Sequence, residues 1–202
     1  MKTSLLILAN LCLITTVVLY FINVVKNGVT PNPAAFLIRS IVAGMNLFSY
    51  FAVVNKDYMK LSVSIVSTAG LISIFLYALL CGKLTRLRVA DIVCGSLALV
   101  IGIIWKTTGD PIMANMMLQI IMLLAFYPAI SGVLFGKATE RAFPWLIATL
   151  CYVFMIGAIV VDWKQSGWLQ LVHPVVSGLF GNGALTIAIW WKNRKNKPLG
   201  TC

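Results

Sequence analysis

The sequence predicts an all-helical membrane protein: seven transmembrane helices arranged as two parallel three-helix bundles joined by the fourth helix. Three observations carry that prediction. First, 60% of the 202 residues are hydrophobic, 10% are charged, and the mean hydropathy is +0.96. One soluble core of this length cannot enclose so much apolar surface. Second, the apolar residues fall in runs close to the ~20 residues that a helix needs to cross a bilayer. Each run is apolar around its whole circumference rather than along one stripe. Third, only short polar breaks separate the runs, so residues 1–202 read as a single membrane domain.

The first run covers about 4 to 25. Lys2 ahead of it imitates a secretory signal, but the run outlasts a signal core and no small-residue cleavage pattern closes it, so a mature span is expected. KNGVTPNP (26–33) leads to the second span, about 34 to 54, and NKDYMK (55–60) to the third, about 60 to 81. GKLTRLR (82–88) precedes the linking helix, about 87 to 105. KTTGDP (106–111) opens the fifth span, about 111 to 135, and GKATER (136–141) the sixth, about 142 to 162. WKQSG (163–167) separates the sixth from the seventh, about 167 to 191, and a basic tail fills 192–202. Trp105, Trp163, Trp168, Trp190 and Trp191 near span ends form an interfacial belt. The tail KNRKNK fits contact with anionic lipid of the bilayer.

Lys and Arg are retained on the cytoplasmic side. Lys26, Lys83, Arg86, Arg88, Lys137, Arg141, Lys192, Arg194, Lys195 and Lys197 make ten on one side, against five (Lys2, Lys56, Lys60, Lys106, Lys164) on the other. The N-terminus is therefore expected outside and the C-terminus in the cytoplasm. Repeat 1 (about 4–81) also aligns with repeat 2 (about 111–191) at a constant shift of 108 residues. Gly28 then meets Gly136, Ala34 meets Ala142, Lys56 meets Lys164, Gly70-Leu71 meets Gly178-Leu179 and Arg86 meets Arg194, and the span boundaries coincide. Two such units with the same orientation are related by an axis along the membrane normal and enclose a path between them.

The net charge of +11 is spread singly and in small groups between apolar spans, so no nucleic-acid face is expected. Cys12, Cys81, Cys94, Cys151 and Cys202 lack CxxC or metal-ligand spacing and read as small thiols rather than a disulfide framework or metal site. No HExxH, Ser/His/Asp set or Gly-rich phosphate loop occurs. An enzyme is therefore not expected, no cofactor is implied, and transport would be passive or ion-coupled.

Within the stretch 123–145, Tyr127-Pro128 lies about two turns before a helix end, followed by a charged turn with Gly136, Lys137, Glu140 and Arg141, then Pro144-Trp145. A proline inside a membrane helix removes one backbone hydrogen bond and marks a bend. The three-one-three topology together with Pro128, Glu140 and Trp145 resembles the SWEET and PQ-loop superfamily, most closely an uncharacterised bacterial seven-helix branch. The resemblance covers the whole chain in topology but only this stretch in motif. Ala129 follows Pro128, Tyr20 stands at the matching position of the first half, and Phe36 and Arg39 occupy positions where related chains often carry tryptophan. Asn182 fits the Asn that lines the pocket of sugar carriers, with Ile74 and neighbouring Ser73 at its counterpart. The resemblance implies facilitative or ion-coupled transport of a sugar, vitamin or amino acid by alternating access, in a bacterial inner membrane.

The residues themselves supply candidates for such a site. Asn182, between Gly181 and Gly183, sits where the helix admits a ligand or a neighbouring helix. Asn46 and Tyr152 fall near mid-depth, and Asn115 and Gln119, four apart, share a face. Together they offer neutral donors and acceptors to a small polar solute; each could equally hydrogen-bond a neighbouring helix. Arg39 is the one charge well inside a span, suited to an anionic group or to snorkelling, with no acidic residue expected at its depth. His173-Pro174 reads as a proton-sensitive gate or a satisfied interior histidine, and Tyr127-Pro128 and Pro174 as hinges. The competing reading is a non-transporting sensor or partner-binding membrane subunit, whose sign would be a collapsed apolar centre with Asn182 packed on another helix. Homo-oligomerisation is left open.

Overall fold

The computed structural model describes residues 1–26, 28–29, 33–81, 89–135 and 140–195. Regular structure among the described residues is helical throughout, without strands. The elements are α1 (Lys2–Lys26), α2 (Pro33–Val53), α3 (Tyr58–Leu80), α4 (Val89–Thr108), α5 (Pro111–Leu134), α6 (Ala142–Val161), α7 (Trp163–Ser166) and α8 (Leu169–His173). A π-helical segment (Pro174–Asn182) and α9 (Gly183–Lys195) follow, continuing α8 as one span, Leu169–Lys195. Among the described residues six helices are long and apolar enough to cross a membrane, and Gly95–Thr108 within α4 is a shorter apolar helix. The chain is thus built on six or seven apolar helices.

Local chemistry places the breaks. Asp57 caps α3 by accepting from the amides of Met59 (3.1 Å) and Lys60 (3.3 Å). Asp110 caps α5 through Ile112 (2.9 Å) and Met113 (3.1 Å), with Pro111 where its missing N–H costs nothing. The WKQSG break folds into the single turn α7, and Gly167 at φ 70° then redirects the chain.

Both faces of each long helix are apolar, but they meet different surroundings. On α1, Leu6, Ala9, Leu13, Tyr20 and Val24 are buried while Leu8, Leu11, Ile14, Val18, Ile22 and Val25 point outward. On α6, Ala148, Cys151, Tyr152, Met155 and Ile159 are buried while Leu146, Leu150, Val153 and Val160 are exposed. An outward face made of Leu, Ile and Val suits hydrocarbon, not water.

The principal partner of α1 is α6; α2 packs on both α3 and α5; α4 lies outermost on α5 and α2; and α6 packs on the π segment and α9. Three clusters fill the interior. One joins Leu13, Tyr50, Leu61, Tyr152 and Met155 toward the Lys2 end. A second joins Tyr20, Phe36, Ile74, Phe126 and Trp145 toward the opposite end. A third, with Val42, Ala98, Leu118 and Ile121, seats α4.

Two glycines of the π segment set its spacing from its neighbours. A Cβ at Gly178 would lie 2.1 Å from the Tyr152 ring, and one at Gly181 would lie 2.3 Å from the Phe126 ring. Gly178→Ala is expected to destabilise by roughly 1–3 kcal/mol, since a buried ring must move. Gly44→Ala, with nothing within 4 Å of the new methyl, should instead gain up to about 1 kcal/mol of helix stability. Thermal unfolding midpoints in detergent that moved in the same direction for both variants would contradict this packing.

Candidate functional site

A cavity of about 80 Å³ lies between the first two core clusters, walled by α1, α2, α3, α5, α6 and the π segment. Its polar lining is Thr16, Arg39, Ser67, Tyr152, Ser177 and Asn182, against an apolar wall that includes Phe126 and Trp145. A site needs roughly 10–15 Å³ per water, so this space holds several waters or one small solute.

Arg39, on the second turn of α2, is 8% exposed. Its guanidinium lies 4.6 Å from the Phe126 ring centre, 5.7 Å from that of Trp145 and 6.0 Å from that of Phe36. Among the described residues no carboxylate comes within 4.0 Å of it. The nearest acid in function is Glu140, just ahead of α6, held by neutral donors: Tyr20 Oη at 3.1 Å and Trp145 Nε1 at 3.3 Å. Burial raises the Glu140 carboxyl above its ordinary range, against the hydrogen bonds from Trp145 and Tyr20 and the charge of Arg39. The expectation that no acid would lie near Arg39 is therefore corrected: Glu140 is placed close enough to Arg39 for the two to interact electrostatically. Asn182 donates from Nδ2 to the Ser177 carbonyl, five residues back along the π segment, at 3.3 Å.

Beside the cavity, the polar residues of α2, α5 and the last span bond to one another. Asn46 Oδ1 accepts from Gln119 Nε2 at 2.6 Å and Asn115 Nδ2 at 2.9 Å; Asn115 Nδ2 also donates to Ser49 Oγ at 3.1 Å. Ser177 donates to Gln119 Oε1 at 2.9 Å. His173 Nδ1 lies 3.3 Å from Asn46 Nδ2 and 3.1 Å from Gln119 Oε1, accepting from the first or donating to the second according to its tautomer. Asn115 Oδ1 is left without a partner among the described residues. The His173 ring contacts Tyr50 (5.2 Å) and Tyr152 (5.9 Å, edge-on), which ties this network to the cavity wall.

Pro174 explains the change of helix type. It has no N–H to offer the Gln170 carbonyl four residues back, and the Tyr50 hydroxyl supplies the missing bond at 3.1 Å. The nine residues from Pro174 onward then run in π geometry, a form that recurs at functional sites.

The Lys2 end of the molecule is closed by charge. Lys2 Nζ reaches Asp57 (2.8 Å) and Asp162 (2.7 Å). Lys60, 2% exposed, reaches Asp162 (3.2 Å), Gln170 Oε1 (2.8 Å) and Ser166 Oγ (2.5 Å). Gln170 in turn donates to the Val53 carbonyl at 3.2 Å. The Lys2 hydrogen bond is the main force holding the Asp162 carboxyl below its usual value. For Asp57 the largest influence is burial, which raises it, but Lys2, the Lys60 amide and the Lys60 charge outweigh that and leave it lowered.

Of the residues singled out from sequence, Arg39, Tyr152 and Asn182 line the cavity, while Asn46, Asn115, Gln119 and His173 form the adjoining network. Pro174 heads the π segment; Tyr127 is 67% exposed on the outside of α5; the Pro128 side chain lies outside the described residues, as does the turn at 136–139. Sequence reasoning placed Asp162 near a span end, Asp57 and Lys60 in the 55–60 break and Glu140 in a charged turn, assigned none of them a buried partner, and did not single out Gln170. The available signal was Lys60 itself, a cation at the start of an apolar helix, with Ser166 and Gln170 four residues apart in the break and first turn that open the last span.

Comparison with family models, curated proteins and solved structures finds no match to this chain. The class rests on its own features: repeated apolar helices, lipid-suited outer faces and a polar interior mark a multi-pass membrane protein.

Lys60→Ala should cost roughly 2–4 kcal/mol, from a cavity plus stranded Ser166 and Gln170; an unchanged unfolding midpoint would show that the cluster is not structural. Asp57 and Asp162 both bind protons less readily folded than unfolded, so their contribution is full above their ordinary value of 3.8 and fades as pH falls below it. The unfolding midpoint should therefore drop below about pH 4, and less steeply in Asp162→Asn.

Proposed function

We propose that the protein is a facilitative or ion-coupled transporter of a small polar metabolite, working by alternating access. Its seven spans form two parallel three-helix units joined by α4, related to the SWEET and PQ-loop superfamily. The observation that carries this reading is a largely apolar cavity with a few polar groups, Arg39, Tyr152 and Asn182 among them, lined jointly by α1–α3 and by α5, α6 and the π segment. The packing supports it: α1 on α6 and α2 on α5 are the reciprocal contacts that a two-fold axis exchanging the units would generate. The charge cluster supports it as well, because Lys2, Asp57 and Lys60 come from the first unit and Asp162, Ser166 and Gln170 from the second. Such a cluster acts as a gate that must part when that end opens. With the N-terminus outside, as the basic-residue count favours, this gate faces outward, and Tyr20, Glu140 and Trp145 stand at the cytoplasmic end. Tyr127-Pro128 and Pro174 serve as hinges as the units rock about Asn182 and Tyr152. The membrane is a bacterial inner membrane on this reading.

One observation favours the second reading, a sensor or partner-binding subunit: Asn46, Asn115, Gln119 and His173 bond mainly to one another, with Asn115 Oδ1 left unpartnered among the described residues. Flux separates the two. In proteoliposomes, uptake or counterflow of sugars, amino acids and vitamins should reveal one class with saturable transport, and Asn182→Ala should reduce it several-fold. Folded protein that moves none of these classes would overturn the transport reading.

A further inference from the structure

We infer that the solute is a small monocarboxylate, bound by Arg39 inside the cavity; this inference rests on the transport reading above. The argument begins with unmatched charge. A buried cation is stable when its lost hydration is replaced by counter-charge and hydrogen-bond acceptors. Lys60, the other deeply buried cation among the described residues, has that replacement in full, from Asp162, Ser166 and Gln170. Arg39 does not. Its recorded neighbours are the faces of Phe126, Trp145 and Phe36, and no described carboxylate comes within 4.0 Å. Three rings lie against the guanidinium, and Arg39 is itself a lining residue of the cavity, where it is the strongest hydrogen-bond donor among the described lining groups.

The other cavity groups sharpen the class. Thr16 donates to the Pro144 carbonyl (3.3 Å) and Ser177 to Gln119 (2.9 Å), so these hydroxyl protons are already engaged. Asn182 spends one of its two amide N–H bonds on the Ser177 carbonyl, which leaves the second N–H and Oδ1 for polar groups elsewhere on the solute. A guanidinium fork matches a carboxylate in a planar, two-bond arrangement. A phosphate dianion fits worse: among the described lining residues Arg39 is the one cation, and Glu140, beyond 4.0 Å but near enough to interact with Arg39 electrostatically, would oppose a second negative charge. The apolar wall of Phe126 and Trp145 suits the carbon part of a small acid.

Matched pairs differing only in charge test this directly: lactate against lactamide, and N-acetylglycine against its amide. Thermal unfolding in detergent and exchange in proteoliposomes are measured for the wild type, Arg39→Gln and Arg39→Lys. The acid of at least one pair should raise the wild-type midpoint and exchange, while its amide does neither. Arg39→Gln should weaken the effect at least about tenfold, and Arg39→Lys should keep part of it. If the amides act as strongly as the acids, or if folded Arg39→Gln responds like wild type, the inference fails. Should Arg39→Gln not fold, the wild-type acid and amide comparison decides alone. Exchange of sugars or other neutral solutes without response to either acid overturns the carboxylate inference and leaves transport standing; no exchange of any solute overturns both.

Discussion

The interior of this molecule is shaped by a single constraint: a helix bundle surrounded by hydrocarbon has no water to satisfy its polar groups, so they must satisfy one another. The Gln170 carbonyl shows how this works at the backbone. Pro174 deprives it of its helical donor, and Tyr50 of α2 reaches across to replace it. The same constraint gathers the amides of α2 and α5 around Asn46, where one oxygen takes protons from two side chains. Helices joined in this way are locked in rotation as well as in distance, which fixes the Tyr152 and Ser177 faces that border the cavity.

Two buried cations illustrate opposite outcomes of that constraint. The effective cost of removing an ion from water is several kcal/mol, and a single cation–π contact returns about 2 kcal/mol at best when desolvated. Lys60 is balanced by a carboxylate and two neutral oxygens. Arg39 has aromatic faces and an electrostatic interaction with Glu140, whose carboxyl oxygens accept from Tyr20 and Trp145 rather than from Arg39. The Lys2 end of the interior is therefore electrostatically saturated and the surroundings of Arg39 are not, an asymmetry that packing alone would not generate.

The sequence made the helices plain because their signal is local: runs of apolar residues of membrane-spanning length, broken by Asp57, Asp110 and Gly167. It also exposed Asn46, Asn115, Gln119, His173 and Asn182, since an amide or imidazole within such a run stands out without knowledge of its partners. What it could not show is which of these groups meet. Asn46 and Asn115 are 69 residues apart, and Lys60 and Gln170 are 110 apart. Such pairings depend on how whole helices rotate against each other. The change to π geometry is an intermediate case. Pro174 announces a broken hydrogen bond, but the extent of the disturbance, nine residues to Asn182, depends on the Tyr152 and Phe126 rings lodged against Gly178 and Gly181. Glu140 stood out as part of the charged turn, but its burial near Arg39 did not, because a charged residue at a span end ordinarily faces water.

The packing of α1 carries a consequence for the order of assembly. Its principal partner is α6, and the bond from Thr16 to the Pro144 carbonyl spans 128 residues. At a synthesis rate of about 5–20 residues per second, α1 leaves the ribosome several seconds, up to roughly half a minute, before α6 exists to receive it. Lys60 waits in the same way for Asp162, made 102 residues later. During that interval the early helices hold polar groups without their final partners, so the completed first half is an unfinished object until α6 arrives. The interface between the halves is thus the last part of the structure to form, and the cavity, being part of that interface, forms with it.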